Sequence, residues 1–317
     1  MPQIAGKSGN QISCCSEDAE GAKNKRKRKE FAPFGNYRNY YGYRVGRDIE
    51  EDPRFKLLKK DWFEGKNCLD IGCNNGLITI SIARKFRCHT ILGIDIDRDR
   101  IEDARWNLRK IVKKESATKG YSSKVKLLEV ANRLEHAESL CKNEDQMRGK
   151  TYHSSEERSL YDIVSFRCEN FIENCRPSLV EHYDTIVCLS VTKWVQLNWG
   201  DEGLIKLFAK IWRLLHPGGI LVLEPQPWKS YCSKRLVTET TAINFEEIKL
   251  YPKCFQEILI DKIGFRTVEI ATSNLSSTAA GFNRPILLSG DAAGICGELC
   301  IFNGAARAIF FCLGQII

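Results

Sequence analysis

From Asn67 onward the chain alternates short apolar runs with longer segments whose apolar residues recur at helical spacing. Asn67 to Ile71 ends on Gly72 and reads as a buried strand, and Leu77 to Phe86 as a helix. Thr90 to Ile94 is a second buried strand. Asp97 to Val112 follows as a helix, with Asp97 at its N-cap and Ile101, Ala104, Leu108 and Ile111 on one face. Lys113 to Ser159 is polar apart from Val125 to Val130 and reads as a surface insertion, partly disordered. The alternation then resumes with strand-like Tyr161 to Phe166 and Tyr183 to Leu189, helical Leu204 to Leu215, a turn at His216 to Gly219 and a strand at Ile220 to Leu223. A helix over Tyr251 to Ile263 and a strand over Phe265 to Ile270 complete the series. Strands and helices taking turns predict an α/β fold with a doubly wound, mostly parallel sheet covered on both faces.

The apolar fraction of 43% over 317 residues is enough for a sizeable core and excludes collagen-like and wholly disordered chains. No run of eighteen apolar residues occurs, and the N-terminus has no apolar h-region, so neither a membrane span nor a secretory signal is expected. The 14 cysteines are scattered without a C-x-x-C pair, which speaks against zinc and for reduced thiols. No metal site is expected. The five histidines form no constellation.

The net charge of +8 is concentrated. Between Gly21 and Arg47 stand nine basic residues and one acidic one, so this segment alone accounts for it and the remainder sums to zero. The same segment carries Phe31, Phe34, Tyr37, Tyr40, Tyr41 and Tyr43. Cations interleaved with aromatic rings suit a nucleic-acid strand; a solvated tail, or a nuclear-import signal at Lys23 to Lys29, is the plainer alternative. Residues 1–30 are expected to form a disordered basic tail, 31–288 the folded domain with its insertion over 113–160, and 289–317 an atypical tail rich in Gly, Ala, Ile and Cys.

The first strand and helix are joined by Leu69-Asp70-Ile71-Gly72-Cys73-Asn74-Asn75-Gly76. In a doubly wound sheet, ligands sit beyond the carboxyl ends of the strands, and a glycine at position 72 lets backbone and ligand approach closely. Asp95, twenty-three residues on, ends the second strand where a carboxylate can take the two ribose hydroxyls of an adenosine cofactor. The dinucleotide pattern G-x-G-x-x-G is not met, because Asn74 occupies its second glycine.

Asp-x-Gly-x-x-x-Gly after a strand resembles the first motif of class I S-adenosylmethionine-dependent methyltransferases, and Leu215 to Gly219 resembles their later turn. Four longer blocks narrow the resemblance: Phe34 to Arg44, Cys188 to Gly203, Leu223 to Trp228, and Gly281 to Pro285. Together they resemble the methylphosphate capping enzyme family, the bicoid-interacting-protein-3-like RNA methyltransferases, over Phe31 to Leu287. The resemblance implies a Rossmann-like class I methyltransferase fold and S-adenosylmethionine as cofactor. It also implies methylation of the terminal (γ) phosphate at the 5′ end of a small nuclear RNA such as 7SK. Tyr40 and Arg54, Gly72, Cys73 and Asn74, Asp95 and Ile96, Asn170 and Phe171, and Leu189 match the family's cofactor-contacting positions. After Ile286 the family continues as a strand that closes the sheet, whereas here Leu288-Ser289-Gly290 runs into the atypical tail.

A terminal phosphate is already anionic near neutral pH, its second pKa being about 6, so no general base is expected. The protein has to align the reactants and hold the phosphate. Candidate RNA-binding residues are Arg38 and Arg44 in the aromatic segment, Lys193 and Trp194 past one strand end, and Trp228 and Lys229 past the next. Tyr40 and Tyr43 are candidates for a lid. The expected partners are an RNA with a 5′ phosphate and ribonucleoprotein proteins, no membrane, and a monomer located in the nucleus or also the cytoplasm. Two alternatives remain open: a 5′-monophosphate methyltransferase of tRNA or small RNA precursors, and a non-catalytic RNA-binding scaffold.

Overall fold

The computed structural model describes residues 31–38, 52–137, 158–174, 182–271 and 284–290, with side chains of the long helix described to residue 117. The chain divides into a unit Met1–Phe31 and a unit Ala32–Ile317, and the second carries the sheet and its helices. Tyr40, Tyr43, Arg44 and Lys23 to Lys29 lie outside the described residues.

Seven strands form one sheet in the order β3-β2-β1-β4-β5-β7-β6. They are β1 (Asn67–Ile71), β2 (Thr90–Asp95), β3 (Val164–Cys168), β4 (Tyr183–Leu189), β5 (Leu215–Glu224), β6 (Thr267–Ile270) and β7 (Leu287–Gly290). β1 to β5 pair in parallel, and β7 runs antiparallel to both β5 and β6. This is the doubly wound class I methyltransferase architecture that the resemblance implies. β7 registers Leu287 against Leu223 and Gly290 against Ile220, so the sheet closes despite the sequence departure at Leu288.

The helices are α1 (Leu77–Phe86), α2 (Arg98–Ala137), α3 (Leu160–Ile163), α4 (Thr192–Leu214), α5 (Trp228–Cys232), α6 (Glu239–Glu247) and α7 (Phe255–Glu257). Alternation along the strands feeds two cores. Cys68, Val187 and Val222 face α1 and the start of α2; Leu69, Ile71, Ile186, Cys188, Leu221 and Leu223 face α4 and α7. Cys68 and Cys188 are wholly buried and pack as small hydrophobes.

Several expected boundaries move. α2 continues to Ala137, well into the stretch expected as an insertion. Tyr161 to Ile163 is not strand but the single turn α3, started by a capping box in which Ser159 and Asp162 satisfy each other's backbone donors; β3 begins only at Val164. α4 begins twelve residues before the expected Leu204, with a kink at Gly200. His216 to Gly219 belongs to β5, where the pairing with β4 shifts register between Tyr183 and Thr185. Tyr251 to Ile263 breaks into a 3-10 turn at Pro252–Cys254, α7, and a π-helical turn at Ile258–Ile263.

The strand order reverses between β1 and β4, which makes the carboxyl ends of those two strands the topological switch point. No described helix is long and apolar enough to cross a membrane.

Candidate active site

A cleft opens at that switch point. Its floor is Ile71, Gly72, Ile94 and Leu189; one wall is Asp95, Ile96, Asn170 and Phe171; the other is Ser190, Val191, Trp194 and Trp199. About 810 Å³ of space lies in it, counting the solvent at its mouth.

The glycine loop is held against β2, because Gly72 and Cys73 both donate backbone N–H groups to the Ile94 carbonyl. Gly72 has φ 74°, and a Cβ there would lie 2.5 Å from Val191 Cγ2, so only glycine leaves the loop and the opposite wall this close. Asn74 also takes a left-handed conformation (φ 50°), which asparagine tolerates better than most residues. The Cys73 side chain is buried in the core beneath the loop rather than lining the cleft.

Asp95 is fixed by two backbone donors, Asn74 N on Oδ2 and Asp97 N on Oδ1, each at 2.9 Å. Burial pushes its carboxyl up, and those two hydrogen bonds pull it back. Each carboxylate oxygen retains acceptor capacity for a hydroxyl.

A strap formed by residues 32–38 crosses the cleft. On one side Asn198 Nδ2 donates to the Pro33 carbonyl at 3.0 Å and Phe34 stacks on Trp199 at 5.8 Å. On the other, Asn36 Nδ2 donates to Asp97 Oδ2, and Asn74 Nδ2 donates to the Tyr37 carbonyl at 3.3 Å. Gly35, with φ 73°, lies against the Trp194 indole so closely that a Cβ would fall 1.9 Å from Nε1. Asn36 Oδ1 is buried without a hydrogen-bond partner among the described residues and lies among the cleft residues, an acceptor open to a donor. An adenosine cofactor fits this donor and acceptor set. Asp95 would hold the ribose, Asn36 would take a donor, and the apolar sides of Ile96, Phe171 and Leu189 would pack on the rest. When bound, S-adenosylmethionine supplies an activated methyl group.

Beneath the rim lies a charge cluster. Arg54 is forked onto Asp52, with Nη2 at 2.6 Å and Nε at 3.0 Å, while Nη1 donates to Glu224 Oε2 at 2.9 Å. Ser190 Oγ donates to the same Glu224 oxygen at 2.9 Å. Arg54 thus stands under the cleft rather than among its lining residues. Gln226 ties the β5 rim to the β4 rim: its Oε1 accepts from Thr192 Oγ1 and Lys193 N at 3.1 Å, and its Nε2 donates to the Ser190 carbonyl.

Of the residues expected to meet RNA, Arg38 and Lys229 are exposed. Lys193 is buried, its Nζ donating to Ser230 Oγ at 2.9 Å and lying 4.3 Å from the Trp194 ring. Trp194 is buried and lines the cleft. Trp228 stacks on Phe245 at 5.0 Å and on Tyr231 at 5.2 Å. The structure therefore brings Gly72, Asn74, Asp95, Ile96, Asn170, Phe171, Leu189 and Trp194 together. The sequence reading missed Phe34, Asn36 and Ser190 as lining residues, and Glu224 and Gln226 as their supports. All of them stand inside the blocks quoted for the resemblance, which is the one signal that could have marked them.

The sequence profile of the Bicoid-interacting protein 3 family matches residues 183–289. A probable RNA methyltransferase of Arabidopsis thaliana is 58% identical over 263 residues, covering 83% of this chain and 82% of that protein. The chain belongs to the Bicoid-interacting protein 3 family. Two further relatives carry more specific names. The 7SK snRNA methylphosphate capping enzyme of Mus musculus is 39% identical over 80% of this chain, which spans 40% of the mouse protein's length. The U6 snRNA methylphosphate capping enzyme of Drosophila melanogaster is 34% identical, covering 80% of this chain and 73% of that protein. As a member of this family the chain is an S-adenosylmethionine-dependent RNA methyltransferase.

Proposed function

We propose that this enzyme methylates the terminal γ-phosphate at the 5′ end of a small nuclear RNA such as 7SK, in the nucleus. The observation that carries the reading is convergence. Three of the four blocks quoted for the family place residues in the strap, the β4 wall and the β5 rim, and the described end of the fourth reaches Ser190. Stretches more than two hundred residues apart meet around one cleft, which similarity confined to a cofactor loop would not require. The relatives named as snRNA capping enzymes support the acceptor, and the Lys23 to Lys29 run supports nuclear entry.

The chemistry suits the residues at hand. A phosphate oxygen carries its own negative charge, so no proton has to be removed before it accepts a methyl group. The chain's part is to fix the acceptor beside the cofactor and to keep water out, an orientation effect worth up to about 7–11 kcal/mol in favourable cases. The strap covers the cleft, and the rims joined through Gln226 supply the fixed edge. The test is transfer of labelled methyl from S-adenosylmethionine to one RNA prepared with a 5′-triphosphate, monophosphate or hydroxyl. Label on the triphosphate RNA is expected. Preference for the monophosphate would redirect the reading to small RNA precursors, and label on the hydroxyl RNA would refute it.

A further inference from the structure

The described end of the Gly281 to Pro285 block puts a cation behind the cleft wall, against Ser190, which lines it. Arg284 Nη1 donates to Ser190 Oγ at 3.1 Å and stands 3.7 Å from Glu224 Oε1. The hydroxyl that receives it is held firmly. Ser190 follows Leu189 at the end of β4, lines the cleft, and is locked in a left-handed conformation (φ 64°). Its N–H donates to the Glu224 carbonyl, its hydroxyl to Glu224 Oε2, and its carbonyl accepts from Gln226. Glu224 already has a full cation partner in Arg54 at 2.9 Å, so its neutralisation does not depend on the longer contact to Arg284.

The remaining donors of Arg284, on Nε and Nη2, bond to nothing among the described residues, and the side chain is 20% exposed. A guanidinium pinned at one nitrogen against a residue of the cleft wall, with the rest of its planar fork unpartnered among the described residues, can take a phosphate through paired charged hydrogen bonds. We propose that Arg284 binds the 5′ phosphate chain of the RNA and holds it against Ser190, at the point where the β4 rim meets the cofactor cleft. The inference rests on the 5′-phosphate activity proposed above and adds the residue that reads the phosphate.

The test uses the full chain loaded with S-adenosylhomocysteine, titrated with one short RNA carrying either a 5′-triphosphate or a 5′-hydroxyl. The quantity read is the ratio of the two affinities. In R284Q this ratio is expected to fall about tenfold or more, as for loss of a charged hydrogen-bond donor, while affinity for the hydroxyl RNA and for S-adenosylhomocysteine stays unchanged. A merely structural role would weaken both RNAs together and leave the ratio where it was, and that result overturns the assignment. Should R284Q fold poorly, R284K keeps the charge and loses the fork; a reduced ratio supports the proposal and the parent ratio overturns it. A parent enzyme that shows no triphosphate preference sinks the proposed activity itself, which separates the two failures.

Discussion

Asp70 lies directly before the glycine loop and is completely enclosed beneath the cleft. Thr79 Oγ1 donates to its Oδ2 at 2.6 Å, and the Arg54 guanidinium attracts its charge, while Asp95 repels it. Burial outweighs the two favourable contacts and pushes the carboxyl up to about 7. The folded chain therefore holds this proton more tightly than the unfolded chain, where an aspartate titrates near 4. Between about pH 4 and pH 7 the unfolded state releases the proton and the folded state retains it, so this residue's contribution to stability declines as pH rises and stays lost above 7. Asn in its place still accepts from Thr79 and never ionises. D70N is expected to match the parent near pH 4 and to exceed it at pH 8 by up to a few kcal/mol, measured as denaturant midpoints across that range. A gap that does not change with pH would show that Asp70 is not titrating there. The sequence exposes Asp70 and Asp95 through spacing alone, because both sit within one strand–helix–strand unit. It cannot expose what Arg54 does, since its partner Glu224 is 170 positions away and only the sheet brings them together.

Strand limits are legible because apolar runs in a parallel sheet are interrupted by turn residues, and β1 and β4 fall where expected. The first half of α4 is illegible for the opposite reason. Thr192 to Leu197 is buried on every side, against the strap, α5 and α6, so its sequence shows no apolar stripe. α5 and α6 are short and hidden in the same way by their aromatic packing around Trp228. The strap has no secondary structure to predict; what betrays it is Gly35, which only the structure sets against Trp194. G35A forces a left-handed conformation on an alanine, at about 1–2 kcal/mol, and drives its Cβ into the indole. We expect S-adenosylhomocysteine affinity to fall about tenfold in calorimetric titration, with the thermal midpoint nearly unchanged because the strap lies outside both main cores. Unchanged affinity would mean that the strap does not lie over bound cofactor.

At the level of the whole molecule, charge and chemistry are separated along the chain. The excess of +8 resides in residues 21–47, and the sequence outside that segment, which holds most of the cofactor cleft, balances its charges. A single-stranded RNA bound through such a segment releases counterions in proportion to the phosphates it neutralises, so affinity falls steeply with salt. Lys23, Lys25, Arg26, Lys27, Arg28 and Lys29 supply six of the nine positive charges. Replacing all six by glutamine should flatten the slope of log affinity against log salt by up to about 4, at roughly 0.7 per phosphate contact. S-adenosylhomocysteine binding and the preference for a 5′-triphosphate should stay at parent values, because Asp95, Ser190 and Arg284 are untouched. A slope that does not change would restrict the run to nuclear import and leave RNA affinity to the rim of the cleft. A slope that flattens together with loss of triphosphate preference would show instead that tail and rim read the same phosphates.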